Sequence, residues 1–390
     1  MIAADITALP PGDSPDLILV PATPAEHIKS IKLNSAMWKG PLDVEAYIAR
    51  EQHIHSQRLT RSGLTCWILV QKDEREDERT ILASCESYQK KALLAYDGQV
   101  EQISSHGVGS VYCRPEFRGK GYAKRMLAEV SVRLETWNVE REKRQRVLFT
   151  VLYSDIGKKF YAQFGWKAFP SAHMTLPPVS GEKALADGQL VGAKTRSLEA
   201  EDVERFMCNE AVFVKLGGRM CVESQASPGA KVAILPDYDH FVWHWAREEF
   251  YAQRLFPGRA PPVVKGAGND QARVYCTWNR SFGETPKDNV LYILRWVYDD
   301  PTSDKEEEAL VQAMIGILRQ AQLQAHEWNM AKVEFWNPEP LEERAVKMLQ
   351  PGAEVVHREN DSICSLRWTG AEHGLGEDVD WILNEKYTWC

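Results

Sequence analysis

One stretch, GVGSVYCRPEFRGKGYAKRML (107–127), constrains the fold more than any other part of the chain. An apolar run comes first, then Arg118-Gly119-Lys120-Gly121-Tyr122-Ala123. Met126, Leu127, Val130 and Leu134 follow at helical spacing, so the order predicts strand, tight turn and amphipathic helix. Gly119 and Gly121 allow a sharp turn and let backbone approach a ligand closely. The unpaired N–H groups of the helix's first turn, helped by its dipole, then face an anion such as a pyrophosphate. Arg118 and Lys120 add positive charge beside them.

The flanking segments place this element in an α/β layer. LILVPAT (17–23) reads as a strand, with a helix from Pro24 capped by Thr23 and helical spacing to about residue 60, broken near Gly40-Pro41. Residues 64–71 and 80–94 read as strands of a meander, separated by KDEREDER (72–79), a solvated charged loop. The predicted helix after the glycine turn runs over 121–137, and VLFTVLY (147–153) is a strand covered on both faces. DIGKKFYAQFGW (155–166) reads as a short helix closed by Gly165. A Pro, Gly and Ser rich stretch at 170–189 sets the expected division: a first domain over 1–175, a linker over 176–195 and a second domain over 196–390.

Beyond the linker the reading is a helix at 201–216, a strand at 230–235, an aromatic helix from Tyr238 and a loop at 257–271. Strand 289–298, helix 306–325, strand 332–336 and helix 341–349 then repeat the order of the first half. YDDPTSDKEEE stands where the first half has its glycine turn. The fold expected is therefore a mixed sheet flanked by helices, followed by a second α/β domain that copies the first without its phosphate site.

Composition excludes several classes. With 390 residues, 44% hydrophobic, 26% charged and a net charge of −8, the chain is an ordinary globular protein with no nucleic-acid footprint. No run approaches the ~18 apolar residues of a spanning helix, so no membrane partner is expected. The N-terminus lacks the features of a secretory signal, and eight cysteines without a C-x-x-C pair read as free thiols, which suits the cytoplasm. His240 and His244 have zinc-like spacing but no further ligand nearby, and no metal is expected.

The span 107–166 resembles the GNAT superfamily of acetyl-coenzyme A-dependent N-acetyltransferases. Arg118, Gly121 and Ala123 fill the fixed positions of its cofactor motif, and Phe160-Tyr161-Ala162-Gln163-Phe164-Gly165-Trp166 matches its downstream element, with Trp for the commoner Phe. The resemblance implies that acetyl-CoA lies on Val111, Tyr112, Cys113, Arg118, Gly119, Lys120, Gly121, Tyr122 and Ala123, its pantetheine arm entering a splayed strand pair. It also implies that Tyr161 protonates the departing thiolate. An amine with a pKa near ~10.4 must lose a proton to attack. Glu86, a strand glutamate among small residues, and His106, at the edge of the cofactor strand, are the candidates to help.

The whole chain further resembles the fungal family of lysine acetyltransferases, through ILASCESY (81–88), PDYDHFVWHWAREEFYA (236–252), WNMAKVEFWNP (328–338), DSICSLRW (361–368) and DVDWILNEKYTWC (378–390). That resemblance implies a small cationic amine as acceptor, the ε-amine of free L-lysine first. Acetylation of proteins or peptides, and a non-catalytic acetyl-CoA-binding regulator, are the alternatives. Glu86, His244 of the aromatic helix, and Glu385 and the carboxylate of Cys390 in the tail are the candidates to hold the amine.

Overall fold

The computed structural model describes residues 9–139, 146–182 and 194–389. The basic stretch 139–146, for the most part, and Cys390 therefore lie outside the described residues. Helix α1 (Pro24–Trp38) opens on a capping box in which Thr23 and Glu26 satisfy each other's backbone N–H groups. α2 (Val44–His55) and the single turn α3 (Arg58–Arg61) follow. Strands β1 (Leu17–Pro21), β2 (Leu64–Gln71), β3 (Ala83–Tyr96) and β4 (Gln99–Cys113) form an antiparallel meander. The β3–β4 hairpin turns at Asp97-Gly98, both at positive φ, the geometry that Asp-Gly turns favour. Helix α4 (Tyr122–Arg133) crosses back, and β5 (Val147–Ser154) joins β4 in parallel. Met126, Leu127, Val130 and Leu134 are fully buried in one cluster with Trp67, Leu69 and Leu152. At about 1.5–3 kcal/mol for each large apolar side chain, that face anchors the helix.

The remaining strands are β6 (Lys167–Ala168), β7 (Ala172–Leu176), β8 (Thr195–Leu198), β9 (Ala230–Ile234), β10 (Gly266–Asn269), β11 (Val274–Ser281), β12 (Val290–Val297), β13 (Lys332–Trp336), β14 (Val356–His357), β15 (Ile363–Trp368) and β16 (Val379–Trp381). Between them lie α5 (Ala200–Met207), α6 (Glu210–Ala226), α7 (Tyr238–Leu255), α8 (Asp304–Glu327) and α9 (Pro340–Leu349). The first sheet runs β1-β2-β3-β4-β5-β15-β6, with β9 on the far part of β3 and β16 on β9. The second runs β14-β7-β13-β12-β11-β10-β8.

The two sheets are not separated by one cut in the chain. β7, from the first half, pairs with β13 in the second sheet, while β15, from the second half, pairs with β5 in the first. Each sheet thus lends the other the strand beside its central parallel pair.

Local differences from the sequence reading have local causes. Residues 155–166 do not form a continuous helix: Gly157 adopts φ +77, Ser154 Oγ donates to its carbonyl, and only a 3-10 turn remains at Tyr161–Phe164. α4 stops at Arg133, short of residue 137. The predicted helix 201–216 is two, because Asn209 caps a new one by accepting from the Val212 N–H. The predicted loop 257–271 contains β10, where Gly266 and Gly268 lie so close to β11 that a Cβ would fall 2.2 Å from the Cys276 carbonyl and 2.5 Å from the Tyr275 ring. The charged loop 72–79 is not wholly solvated. Arg79 is buried, and its Nε and Nη2 donate to the two carboxylate oxygens of Glu26.

Candidate active site

β4 and β5 pair in parallel from Ser104↔Val147 to Val108↔Leu152, with a one-residue register shift between Ser104 and His106, and then part. Just beyond that point β4 carries an extra residue relative to β3: Glu86 opposes Gly109 and Ser84 opposes Tyr112, with Ser110 at φ +50 in the bulge. The bulge swings the end of β4 away from β5, and Val111, Tyr112 and Cys113 lie along this diverging edge.

The glycine turn follows. Gly119 and Gly121 adopt φ +82 and +89, conformations that L side chains rarely accept. A Cβ on Gly119 would meet nothing within 4 Å among the described residues, which leaves space beside the turn. Gly121 is the N-cap of α4, and no side chain caps that helix end. Arg118 is exposed, with Nε donating to the Cys113 carbonyl at 3.2 Å, which ties the guanidinium to the end of β4. The turn is supported from behind. Gly12 N–H donates to the Lys120 carbonyl at 2.8 Å, and Tyr122 Oη donates to the Pro10 carbonyl at 2.7 Å. The Tyr122 side chain thus faces the lead-in segment, and that residue offers a ligand its backbone. Open space, an uncapped helix end and a basic rim fit the pyrophosphate of a coenzyme A thioester.

Tyr161 stands at the start of the 3-10 turn, in one cluster with Val108 and Leu152, the last paired residues, and with Cys85. Burial, with the nearby Asp155 carboxylate, pushes its phenol above the ordinary range, so it stays protonated.

Across the bulge, Glu86 is 4% exposed and accepts from three groups: His27 Nε2 at 2.8 Å, Tyr88 Oη at 2.7 Å and Ser110 Oγ at 2.7 Å. Burial would raise its carboxyl, but His55, His27 and Ser110 outweigh that and hold it well below the usual range. Because Glu86 is a carboxylate, which can only accept, His27 Nε2 carries the proton of that hydrogen bond. His55 stacks on His27, ring centroids 5.0 Å apart, and its Nε2 lies 3.6 Å from both Glu86 and Glu51. The ligand atoms of His27, His55 and Glu86 fall within 4.8 Å of one another, a set that a metal ion could also take.

The other sequence candidates lie elsewhere. His106 sits on β4 before the parting, is fully buried and directs Nε2 to the Trp137 carbonyl at 3.2 Å; burial lowers it to about 4, so it is neutral. It is not brought to the Glu86 cluster. His244, on α7, is buried and directs Nε2 to the Tyr387 carbonyl at 3.2 Å, fixing the tail. Glu385 pairs with Arg295 Nη1 at 2.8 Å in a different cavity. The tail is a core element: Tyr387 is fully buried, and Trp389 packs on Trp243, which in turn meets Tyr88. Lys386 follows the same route. Its Nζ lies over the rings of Trp389, Trp336 and Tyr292 at 3.9, 4.2 and 4.5 Å, and burial lowers it to about 7. Sequence reasoning found Glu86 but missed His27 and His55. No short-range pattern marks them, because α1 and α2 reach β3 only in the folded chain.

The family model of the LYC1 GNAT-like C-terminal domain matches residues 173–390, more than half of the chain. The chain belongs to this family, and with it to the GNAT-type N-acetyltransferases. An uncharacterised Saccharomyces cerevisiae protein is 23% identical over 91% of this chain and 93% of its own length. A Yarrowia lipolytica protein named lysine acetyltransferase is 26% identical over 59% of this chain and 64% of its own. Among solved structures, Saccharomyces cerevisiae N-myristoyltransferase with bound myristoyl-CoA and inhibitors is alike in fold, with a TM-score of 0.50 and 11% identity over 93% of this chain and 81% of that one. A tandem GNAT protein from the clavulanic acid biosynthesis pathway aligns with a TM-score of 0.46 and 14% identity, covering 93% of this chain and all of that one.

Proposed function

We propose that the chain transfers the acetyl group of acetyl-CoA to a small cationic amine, first of all the ε-amine of free L-lysine. The observation that carries this reading is the parting of β4 from β5, bounded by the glycine turn, Tyr161 and the Glu86 bulge. The acceptor class is supported by the Yarrowia relative named lysine acetyltransferase. A cytoplasmic setting belongs to the same reading, since the described cysteines are free thiols and no described helix is long and apolar enough to cross a membrane.

The residues divide the work. The backbone of Gly119, Gly121 and Ala123 binds the pyrophosphate, with Arg118 and Lys120 at its rim, and the edge Val111–Cys113 takes the pantetheine arm. Acetyl-CoA supplies the acetyl group as a thioester. His27 Nδ1, oriented through Nε2 by Glu86, takes the proton of the ammonium and leaves a neutral amine. The amine nitrogen bonds to the carbonyl carbon as the carbon–sulfur bond breaks; Tyr161 gives its proton to the thiolate, and the second proton that the nitrogen sheds on becoming an amide restores the phenol.

Thiol release from acetyl-CoA tests the reading directly, with L-lysine, a lysine-containing peptide or no acceptor. Release with L-lysine well above the other two is the expected result. Faster release with the peptide favours a protein acetyltransferase, and binding of acetyl-CoA without release in any arm favours a regulator.

A further inference from the structure

The second half reproduces the strand geometry of the first at a place where nothing yet assigned binds. β12 and β13 are in parallel register from Val290↔Lys332 to Ile293↔Phe335 and then part, as β4 and β5 do. β12 also carries one extra residue relative to its antiparallel neighbour: Trp278 opposes Ile293 while Thr277 opposes Arg295, leaving Leu294 in the bulge. Beyond that bulge lies a cavity of about 870 Å³ between the end of β12, α6, the start of α9 and the tail residue Glu385.

The chemistry of this second parting is the inverse of the first. The N-terminus of α8 is already capped, with Ser303 Oγ accepting from the Glu306 N–H, and Asp304, Glu306 and Glu307 fill its first turn. An anion is repelled there. Six carboxyl groups line the cavity instead, Glu223, Asp299, Asp300, Glu339, Glu342 and Glu385. Arg219 and Tyr298 bind Glu339, and Arg295 binds Glu385. Among the described residues no cation forms an ion pair with Glu342. This residue is 5% exposed, one of its oxygens accepts from the Glu339 N–H at 3.1 Å, and no other described group donates to it. Burial, with Glu385 and Glu339 beside it, raises its carboxyl well above the usual range, so it holds its proton until a cation displaces it. Asp300 on the same wall is likewise without a described cationic partner, whereas the cavity's Lys215, Arg219, Arg273 and Arg295 each have an acidic one. Tyr275, Trp296 and Leu216 supply walls suited to an alkyl chain.

We infer that this cavity is a second binding site, distinct from the acyl-transfer site, for an alkyl ammonium compound whose cationic end pairs with Glu342. Its floor includes Glu385, whose chain neighbour Lys386 sits in the aromatic cage beside the tail, so a ligand here touches the segment that packs near the first site.

Calorimetric titration with 1,5-diaminopentane tests the site, with L-lysine as a second arm and L-norleucine, which lacks the side-chain ammonium, as the third. The wild-type chain is expected to show a binding event that norleucine does not give. Glu342→Gln weakens this event at least tenfold, Gly218→Trp closes the mouth of the cavity and does the same, and His27→Ala leaves it unaltered. A Cβ at Gly218 meets nothing within 4 Å among the described residues, so that variant still reads the site if Glu342→Gln folds poorly. Binding by either amine that both cavity variants weaken supports the site, and binding by one amine but not the other says which source of the cation it takes. Binding that both cavity variants retain, or that only His27→Ala abolishes, overturns it.

Discussion

The turn after β4 and the turn after β12 occupy corresponding places and carry opposite chemistry. The first is bare: two glycines at positive φ, an uncapped helix end, open space and a basic rim. The second is filled by a serine cap and three acidic residues in the first turn of its helix. The strand bulge and the parting occur in both. Strand geometry thus opens a cleft in each half, and the composition of the following turn decides which charge the cleft accepts. A coenzyme A pyrophosphate suits only the first.

The largest effect that would break this contrast lies at Tyr161. Tyr161→Phe should lower kcat by ~10²–10⁴ with acetyl-CoA affinity unchanged, whereas Tyr298→Phe beside the second cavity should leave kcat unaltered. Steady-state kinetics with L-lysine decide it, and near-full turnover in Tyr161→Phe assigns the tyrosine to packing. Gly119→Val should weaken acetyl-CoA binding about 100-fold, ~2.7 kcal/mol, by filling the open side of the turn. Thr302→Val in the second turn should not change it, and calorimetry compares the pair. His27→Ala should lower kcat by ~10² near neutral pH. That deficit should shrink as pH rises toward the amine's own pKa of ~10.4, because the amine then arrives neutral.

The last effect concerns stability rather than activity. Lys386 is lowered from its ordinary value to about 7 in the folded chain, so the unfolded chain binds more protons between pH 7 and about 10.5. Its burial penalty is complete below pH 7 and fades as pH rises through that window. Lys386→Met should therefore raise the melting temperature at pH 6, and the gain should vanish near pH 10.5. A gain independent of pH would assign the effect to packing alone.

The first turn was legible because its signal is local: glycine spacing and the period of Met126, Leu127, Val130 and Leu134 lie within one strand–helix unit. The order of elements in the second half was legible for the same reason. The exchange of β7 and β15 between sheets was not, since β15 reaches β5 across more than two hundred residues and alternating apolar residues do not specify a partner. His27 and His55 were missed on the same ground. Each is an ordinary helix residue until α1 and α2 pack over β3. Glu385 stood out by charge in an aromatic tail, but its partner, Arg295, comes from a distant strand and carries it to the second cavity.

Amide hydrogen exchange with and without acetyl-CoA compares the two turns in one experiment. The account predicts slowed exchange at residues 119–125 and along 109–113, with no change at residues 299–307. Protection at 299–307, or none at 119–125 under saturating acetyl-CoA, would contradict it.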